Sequence, residues 1–211
     1  MNTFQQLASL ETSHFKQIYQ APSNATLAEF IRVAQLFPQF VDQEDVMPHN
    51  KEVTLGELEA TLKRFKHDKS PRPDGWTVDF YKAFFDILGE DLLKVIEDFR
   101  SSGRMYEAIN TTFIALIPKL DNPISFDEFY SISLCNCIYN IITKIISNRL
   151  WPILSTHISI EQFVFLQDRQ IHEAVGTAQE VMHSIQTKKI KGMILKVDLS
   201  KAFDRVSWLY L

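Results

Sequence analysis

The sequence is poor in the features that mark several common classes of protein. Its two cysteines, Cys135 and Cys137, lie too close together for a zinc-knuckle pair and are predicted to be buried free thiols. No apolar run approaches the ~20 residues that a bilayer span needs. The N-terminal residues resemble neither a signal peptide nor a transit peptide. These absences predict a protein of the nucleus or the cytoplasm that does not enter a membrane.

The chain also has no excess of positive charge. Its formal net charge is −4 and its pI is about 5.9, which excludes a protein that coats nucleic acid through global charge. With 211 residues, 45% of them hydrophobic and 23% charged, the composition is that of a globular domain rather than a disordered chain. A nucleic-acid site, if present, must therefore be local.

The periodicity predicts mostly helix. Residues 1–50 read as a helical lead-in, and Thr54 and Glu57 have the spacing of a capping box. The next helix carries an apolar stripe, which consists of Leu55, Leu58, Leu62 and Phe65. A further helical pattern over 76–99 is interrupted at Gly89 and ends near Gly103. Its aromatic side chains are predicted to be core rather than a base-stacking platform: Phe80, Tyr81, Phe84 and Phe85.

Two β-branched, apolar segments predict strands. The first covers 111–118 and ends at Pro118, and the second covers 193–198. Helices are predicted over 138–150, where Pro152 ends or kinks the helix, and over 171–185. The predicted fold class is therefore α+β, mostly helical, with a small partial sheet made from these two strands.

A basic, turn-rich segment follows the helix that is predicted to start at Thr54. Its cations are Lys63, Arg64, Lys66, Lys69 and Arg72. Prolines and Gly75 then force turns. Such a loop can hold phosphates through Lys, Arg and backbone N–H groups. Equally, the lysines can be the solvated C-terminus of a helix, where they complement the helix dipole.

The second predicted strand ends at an aspartate, Asp198. Ligand sites in sheets lie off the strand ends, and a carboxylate there is a candidate metal ligand. An aspartate is also a favoured N-cap for a helix that begins at the next residues. The residues by themselves leave these two interpretations open.

Several motifs occur in one order: "KSPRPDG", "LIPK", "ISLCNCIYNIITKIISNRL", "EQFVFLQDRQI" and "KVDLSKAFDRVSW". Together they resemble the fingers and the first palm motif of reverse transcriptases of LINE-type non-LTR retrotransposons, particularly those of plants. The resemblance runs from about Val53 to Leu211. It implies fingers over 51–190 and the start of a right-hand polymerase palm over 191–211. Residues 1–50 are similar to the segment that joins such polymerases to an upstream endonuclease.

The resemblance implies roles for particular residues. Asp198 takes the place of the first catalytic carboxylate, which binds Mg²⁺ because this hard ion prefers carboxylate and phosphate oxygens. Arg169 matches an arginine along the dNTP triphosphate, and Phe203 matches an aromatic under the sugar. The backbone between Asp198 and Phe203 would cradle the triphosphate through Leu199, Ser200, Lys201 and Ala202. An RNA template and a DNA primer are the implied partners.

Four positions depart from the family pattern. Arg72 stands where the family has glycine, which would be strained if that position requires a positive φ. Tyr130 replaces an arginine that holds phosphate, and Asn140 replaces a lysine. Asp168 replaces a glycine and puts a negative charge next to Arg169, close to the expected triphosphate.

The resemblance lacks the later polymerase motifs, which carry the second and third carboxylates. The sequence therefore predicts a truncated reverse transcriptase that is inactive by itself. The alternatives are a nucleic-acid-binding module without catalysis and a decayed relic of a retroelement that never folds stably. The oligomeric state is not predicted.

Overall fold

The computed structural model describes residues 4–20, 26–36, 50–66, 72–164, 166, 169–199 and 206. The chain divides into two compact units. The first comprises 1–40, 124–126 and 172–211, and the second comprises 41–123 and 127–171. No helix in the described ranges is long and apolar enough to cross a membrane.

The first unit contains helices α1 (Phe4–Tyr19) and α2 (Leu27–Ala34). Helix α2 begins with a complete capping box: the Glu29 N–H donates to Thr26 Oγ1 at 3.4 Å, and the Thr26 N–H donates to Glu29 Oε2 at 2.7 Å. Most of α7 (Ile171–Thr187) also belongs to this unit. The predicted helix over 171–185 is thereby confirmed. The predicted lead-in is helical at Phe4–Tyr19 and Leu27–Ala34, and its residues 37–49 lie outside the described residues.

The second unit contains the hydrophobic core, which four helices build. They are α3 (Leu55–Lys63), α4 (Val78–Ala83), α5 (Phe85–Ser102) and α6 (Cys137–His157). The most deeply buried apolar side chains include Leu58 and Leu62 of α3 and Ile141 and Ile142 of α6. Leu55, the first member of the predicted stripe, is instead exposed. Helix α6 also continues through Pro152.

The predicted interruption at Gly89 is wrong. The helical path breaks at Phe84, which has φ −109° and ψ 23° and lies between α4 and α5, whereas Gly89 is buried inside α5. A Cβ at Gly89 would come within 3.2 Å of the Phe85 ring, so the glycine makes room for that ring. The predicted end near Gly103 is confirmed, because this residue is the left-handed C-cap with φ 66°.

The predicted capping box at Thr54 forms only in part. The Glu57 N–H donates to Thr54 Oγ1 at 3.1 Å, but the Glu57 carboxylate has a different partner. Arg149 of α6 donates from Nε and Nη2 to the two Glu57 carboxylate oxygens, at 2.8 and 2.7 Å. The glutamate therefore fastens the start of α3 to α6 instead of closing its own helix end.

The sheet is an antiparallel hairpin of β1 (Thr112–Pro118) and β2 (Phe129–Cys135), with a 3₁₀ turn at Phe126–Glu128 before β2. The prediction that β1 ends at Pro118 is confirmed. The predicted partner strand at 193–198 is wrong, because 191–199 form no strand and lie exposed. A strand requires a hydrogen-bonded neighbour, and the described residues supply β2 to β1 and none to 193–198.

Candidate functional site

The turn at Arg72–Gly75 lies in the basic loop that the sequence singled out. The Gly75 N–H donates to the Arg72 carbonyl at 2.9 Å, and Gly75 has φ 75°, a value that favours glycine. Asp74 Oδ1 accepts a hydrogen bond from the Trp76 N–H at 3.2 Å. Among the described non-glycine residues, Lys189 is the one with a positive φ. Arg72 therefore does not have a positive φ, and the backbone strain considered for this position in the sequence does not arise.

This turn is hydrogen-bonded to the junction between β2 and α6. The Asp74 N–H donates to Asn136 Oδ1 at 3.1 Å, and Asp74 Oδ2 accepts from the Cys137 N–H at 3.4 Å. Arg72 Nη1 donates to the Cys135 carbonyl. The arginine in the glycine position thus anchors the loop and is half-buried. Two sequence motifs separated by about sixty residues meet here.

Asn136 is the residue of this site that the sequence analysis missed. It is 3% exposed, and its Nδ2 donates to the Ala108 carbonyl. Asn140, the residue in the lysine position, donates from Nδ2 to the carbonyls of Cys135 and Asn136 at 3.0 and 2.8 Å. Apolar periodicity cannot reveal such residues. The available signal is its position directly before a helix pattern, where asparagine is favoured as a cap, although its side chain makes no capping hydrogen bond.

The two thiols lie beside the same junction. Both cysteines are free, as predicted, but only Cys137 is buried; Cys135, which was also predicted to be buried, is partly exposed. Burial raises the pKa of the Cys137 thiol to about 12, with a lowering influence from Arg72 and a raising one from Asp74. Thr112 Oγ1 donates to Cys135 Sγ at 3.4 Å. Cys137 is therefore a neutral, packed side chain at physiological pH.

The predicted nucleic-acid-binding cations have different environments. Lys63 pairs with Glu59 at 2.6 Å on the exposed face of α3, while Arg64 and Lys66 are exposed. Arg72 donates a hydrogen bond to the Cys135 carbonyl, as described above. Lys69 lies outside the described residues. Positive charge at the surface thus concentrates at the C-terminal end of α3.

Tyr130 stands where the resemblance expects an arginine. It is exposed on β2, and Lys119 Nζ lies 5.1 Å from the centre of its ring. The same ammonium group donates to the Asp127 carbonyl at 2.8 Å. A lysine next to an aromatic face is a favourable arrangement. The tyrosine therefore keeps a positive charge beside it, although it carries none itself.

Arg169 uses its guanidinium on the chain that follows α6. Nη2 donates to the Ile158 carbonyl and Nη1 to the Gln162 carbonyl, both at 2.9 Å, and Nη1 also donates to the Ser159 carbonyl. A planar donor fork suits such multiple contacts. In this arrangement Arg169 holds a turn together. Asp168, its predicted unfavourable neighbour, lies outside the described residues.

Asp198 lies on the exposed stretch 191–199, followed by an exposed Leu199. The remaining predicted triphosphate-binding residues, 200–203, lie outside the described residues. Within the described ranges, no three His, Cys, Asp or Glu side chains are grouped so that they could hold a metal ion. Mg²⁺ takes near-octahedral oxygen coordination, so a metal-binding role for Asp198 needs further oxygen ligands and stays a prediction.

The comparisons with known proteins agree with the order of the motifs. Residues 117–211 match the family described as reverse transcriptase (RNA-dependent DNA polymerase). Over 159 residues the chain is 31% identical to the "Transposon TX1 uncharacterized 149 kDa protein" of Xenopus laevis. That alignment covers 75% of this chain and 12% of the relative, so the chain spans a small part of that protein's length.

Residues 117–211 therefore belong to the reverse transcriptase family, whose members are metal-dependent polymerases. More specifically, the chain carries part of a reverse transcriptase domain of the non-LTR retrotransposon type, as the motifs predicted. The plant-like character of the sequence stays a prediction.

Proposed function

We propose that the second unit forms the template-binding fingers of an RNA-directed DNA polymerase, and that 191–211 begin its palm. The observation that carries this proposal is the attachment of the Arg72–Gly75 turn to the β2–α6 junction. It unites the "KSPRPDG" and "ISLCN" motifs, which the family resemblance assigns to one subdomain. In a complete enzyme this part would help copy RNA into DNA at a nicked chromosomal target.

The proposed contacts with RNA come from the end of α3. Arg64 and Lys66 are exposed there, Lys63 directly precedes Arg64, and Lys69 follows further along the chain. These cations would neutralise template phosphates, since Lys and Arg supply most of the affinity for nucleic acid. Arg72 supports the loop between them and Trp76 rather than reaching a phosphate.

Binding of the 211-residue chain to a single-stranded RNA oligomer at several salt concentrations tests this role. We expect affinity to fall as salt rises, with a slope of ~0.7 per neutralised phosphate. The double change of Arg64→Glu and Lys66→Glu should weaken binding and flatten the slope. Arg64→Glu alone and Lys94→Glu, at an exposed lysine of α5, have the same change in net charge, so Lys94→Glu is the control for that single variant. A slope that is the same in all four proteins would contradict the assignment.

The catalytic roles of Asp198, Arg169, Leu199, the backbone at 200–202 and Phe203, together with Mg²⁺, primer and dNTP binding, remain part of the proposal. Two-metal polymerisation needs more than one carboxylate. We therefore expect no primer extension by the purified 211-residue chain with Mg²⁺, primer, template and dNTPs. Extension above background that disappears in Asp198→Ala would refute this expectation. The exposed environment of Asp198 favours a nucleic-acid-binding module as the alternative.

A further inference from the structure

Three aromatic side chains form a continuous stack on the surface of the second unit. The rings of Trp76 and Phe80 are stacked with centres 4.1 Å apart, and those of Phe80 and Phe84 are tilted with centres 5.0 Å apart. We call Trp76, Phe80 and Phe84 the aromatic ladder. Its two ends are open, because Trp76 is 48% and Phe84 46% exposed. The prediction that Phe84 is a core residue is therefore wrong.

The ladder is held rigidly. Phe80 packs against the core, and the Thr77 hydroxyl caps α4 by accepting the Phe80 N–H at 3.4 Å. Trp76 follows the turn whose glycine has φ 75° and whose Asp74 side chain accepts the Trp76 N–H. The same turn is fastened to α6. An exposed tryptophan on a preorganised turn loses little conformational freedom on binding a ligand, which favours affinity.

The helix that carries Phe80 is hydrogen-bonded to the cationic end of α3. Lys82, between Phe80 and Phe84 in sequence, donates from Nζ to the Phe65 carbonyl at 2.9 Å. Phe65 is flanked by the exposed cations Arg64 and Lys66. The bond therefore joins the helix of the ladder to the surface proposed to hold phosphates. Aromatic faces next to cations form the combination that binds single-stranded nucleic acid, by stacking and by charge.

We propose that the open face of Trp76 stacks against an unpaired base of single-stranded RNA whose phosphates lie along the end of α3. This inference rests on the proposed function and adds to it the residue that contacts a base. Stacking accepts any base, since every base has a π-face. The aromatic ladder would therefore add affinity for a template RNA without a preference for its base sequence. An apolar protein partner is the competing occupant, because Ile87 of α5 is also exposed.

Two oligomers of equal length and charge separate stacking from charge: a 12-nucleotide adenosine RNA and a 12-unit abasic ribose phosphate. We expect the 211-residue chain to prefer the adenosine oligomer by roughly 5- to 150-fold for each stacked base. Trp76→Ala should remove most of this preference, and Trp76→Phe should keep most of it. Tyr106→Ala, at an exposed aromatic elsewhere in the unit, should leave it unchanged. Fluorescence anisotropy measures binding, and circular dichroism verifies folding.

The outcomes separate this inference from the proposed function. If the chain binds neither oligomer, the proposed function fails and this inference fails with it. If both bind with normal salt dependence and Trp76→Ala leaves the preference intact, only the stacking role is overturned. A loss in Ile87→Ser as large as in Trp76→Ala would also overturn it, since that result indicates an apolar contact. Phe84→Ala, with a partial loss expected, replaces Trp76→Ala if the latter does not fold.

Discussion

Replacement of the buried Asn136 by alanine tests whether the loop that precedes Trp76 is fixed by the β2–α6 junction. In the native chain, Asn136 Oδ1 accepts the Asp74 N–H at 3.1 Å, and its Nδ2 donates to the Ala108 carbonyl. Alanine leaves both backbone groups without this partner. A buried polar group that loses its partner costs ~1–3 kcal/mol. Asp74 is half-buried and Ala108 is exposed, so water can replace part of each bond and the two losses together should cost about 1–3 kcal/mol.

This cost should be visible in thermal unfolding. For a chain of this size, 1 kcal/mol corresponds to a shift of ~2–4 °C in Tm, so Asn136→Ala should lower Tm by about 2–12 °C. Urea unfolding gives the free energy directly. Because the loop also orients Trp76, the same variant should reduce the preference for base-bearing RNA.

Asn140→Ala is the matched control for this prediction. Its side chain donates to the carbonyls of Cys135 and Asn136, but each keeps another donor: Arg72 Nη1 for the first and the Asn140 N–H for the second. No group is orphaned, so the expected cost is at most about 1 kcal/mol. If Asn136→Ala destabilises the chain no more than Asn140→Ala, the reasoning from unsatisfied groups is refuted.

Two further predictions concern the ion pairs of the second unit. Arg149→Met should lower the free energy of unfolding by about 2 kcal/mol, a value between those for exposed and buried ion pairs. A double-mutant cycle with Glu57→Gln should show that the two changes are coupled. Additive effects of the two changes on the free energy of unfolding would contradict the pairing. Although burial opposes it, hydrogen bonds from Arg100 and the Val53 N–H lower the pKa of Glu97 below its ordinary 4.5. Its contribution to stability should therefore be present above pH 4.5 and be lost as the pH falls through the lower folded pKa. Glu97→Gln should remove this part of the acid sensitivity in urea unfolding, and an unchanged pH profile would count against it.

Sequence periodicity predicted those elements whose structure depends on local pattern. The helix at Leu55–Lys63, the end of β1 at Pro118 and the helical pattern that ends at Gly103 all follow from side-chain spacing or a backbone restriction. It failed where a distant residue decides the outcome. Glu57 fits a capping box in sequence but bonds to Arg149, which is 92 residues away.

The sequence predicted the motifs that form the candidate site, but it did not predict that these motifs are in contact. The family resemblance marked the loop at Arg72 and the segment at Asn136 as separate signals, because each is recognisable by its own letters. Their attachment depends on buried polar contacts, which have no periodic signature. The exposed state of Phe84 was missed for a related reason. Aromatic residues are usually buried, and the departure follows from the break between α4 and α5 at that residue.

Asp198 shows why a motif and a site differ. The apolar residues before it have the β-branched composition of a strand, yet Leu195 and Val197 are 76% and 68% exposed. Composition expresses a preference for extended chain, whereas a strand exists only when a neighbour accepts its hydrogen bonds. The Asp198 carboxylate likewise depends on neighbours, because a protein binds a metal ion through several oxygen ligands held together and not through one. A catalytic role for Asp198 therefore requires further ligands and a paired strand to position it.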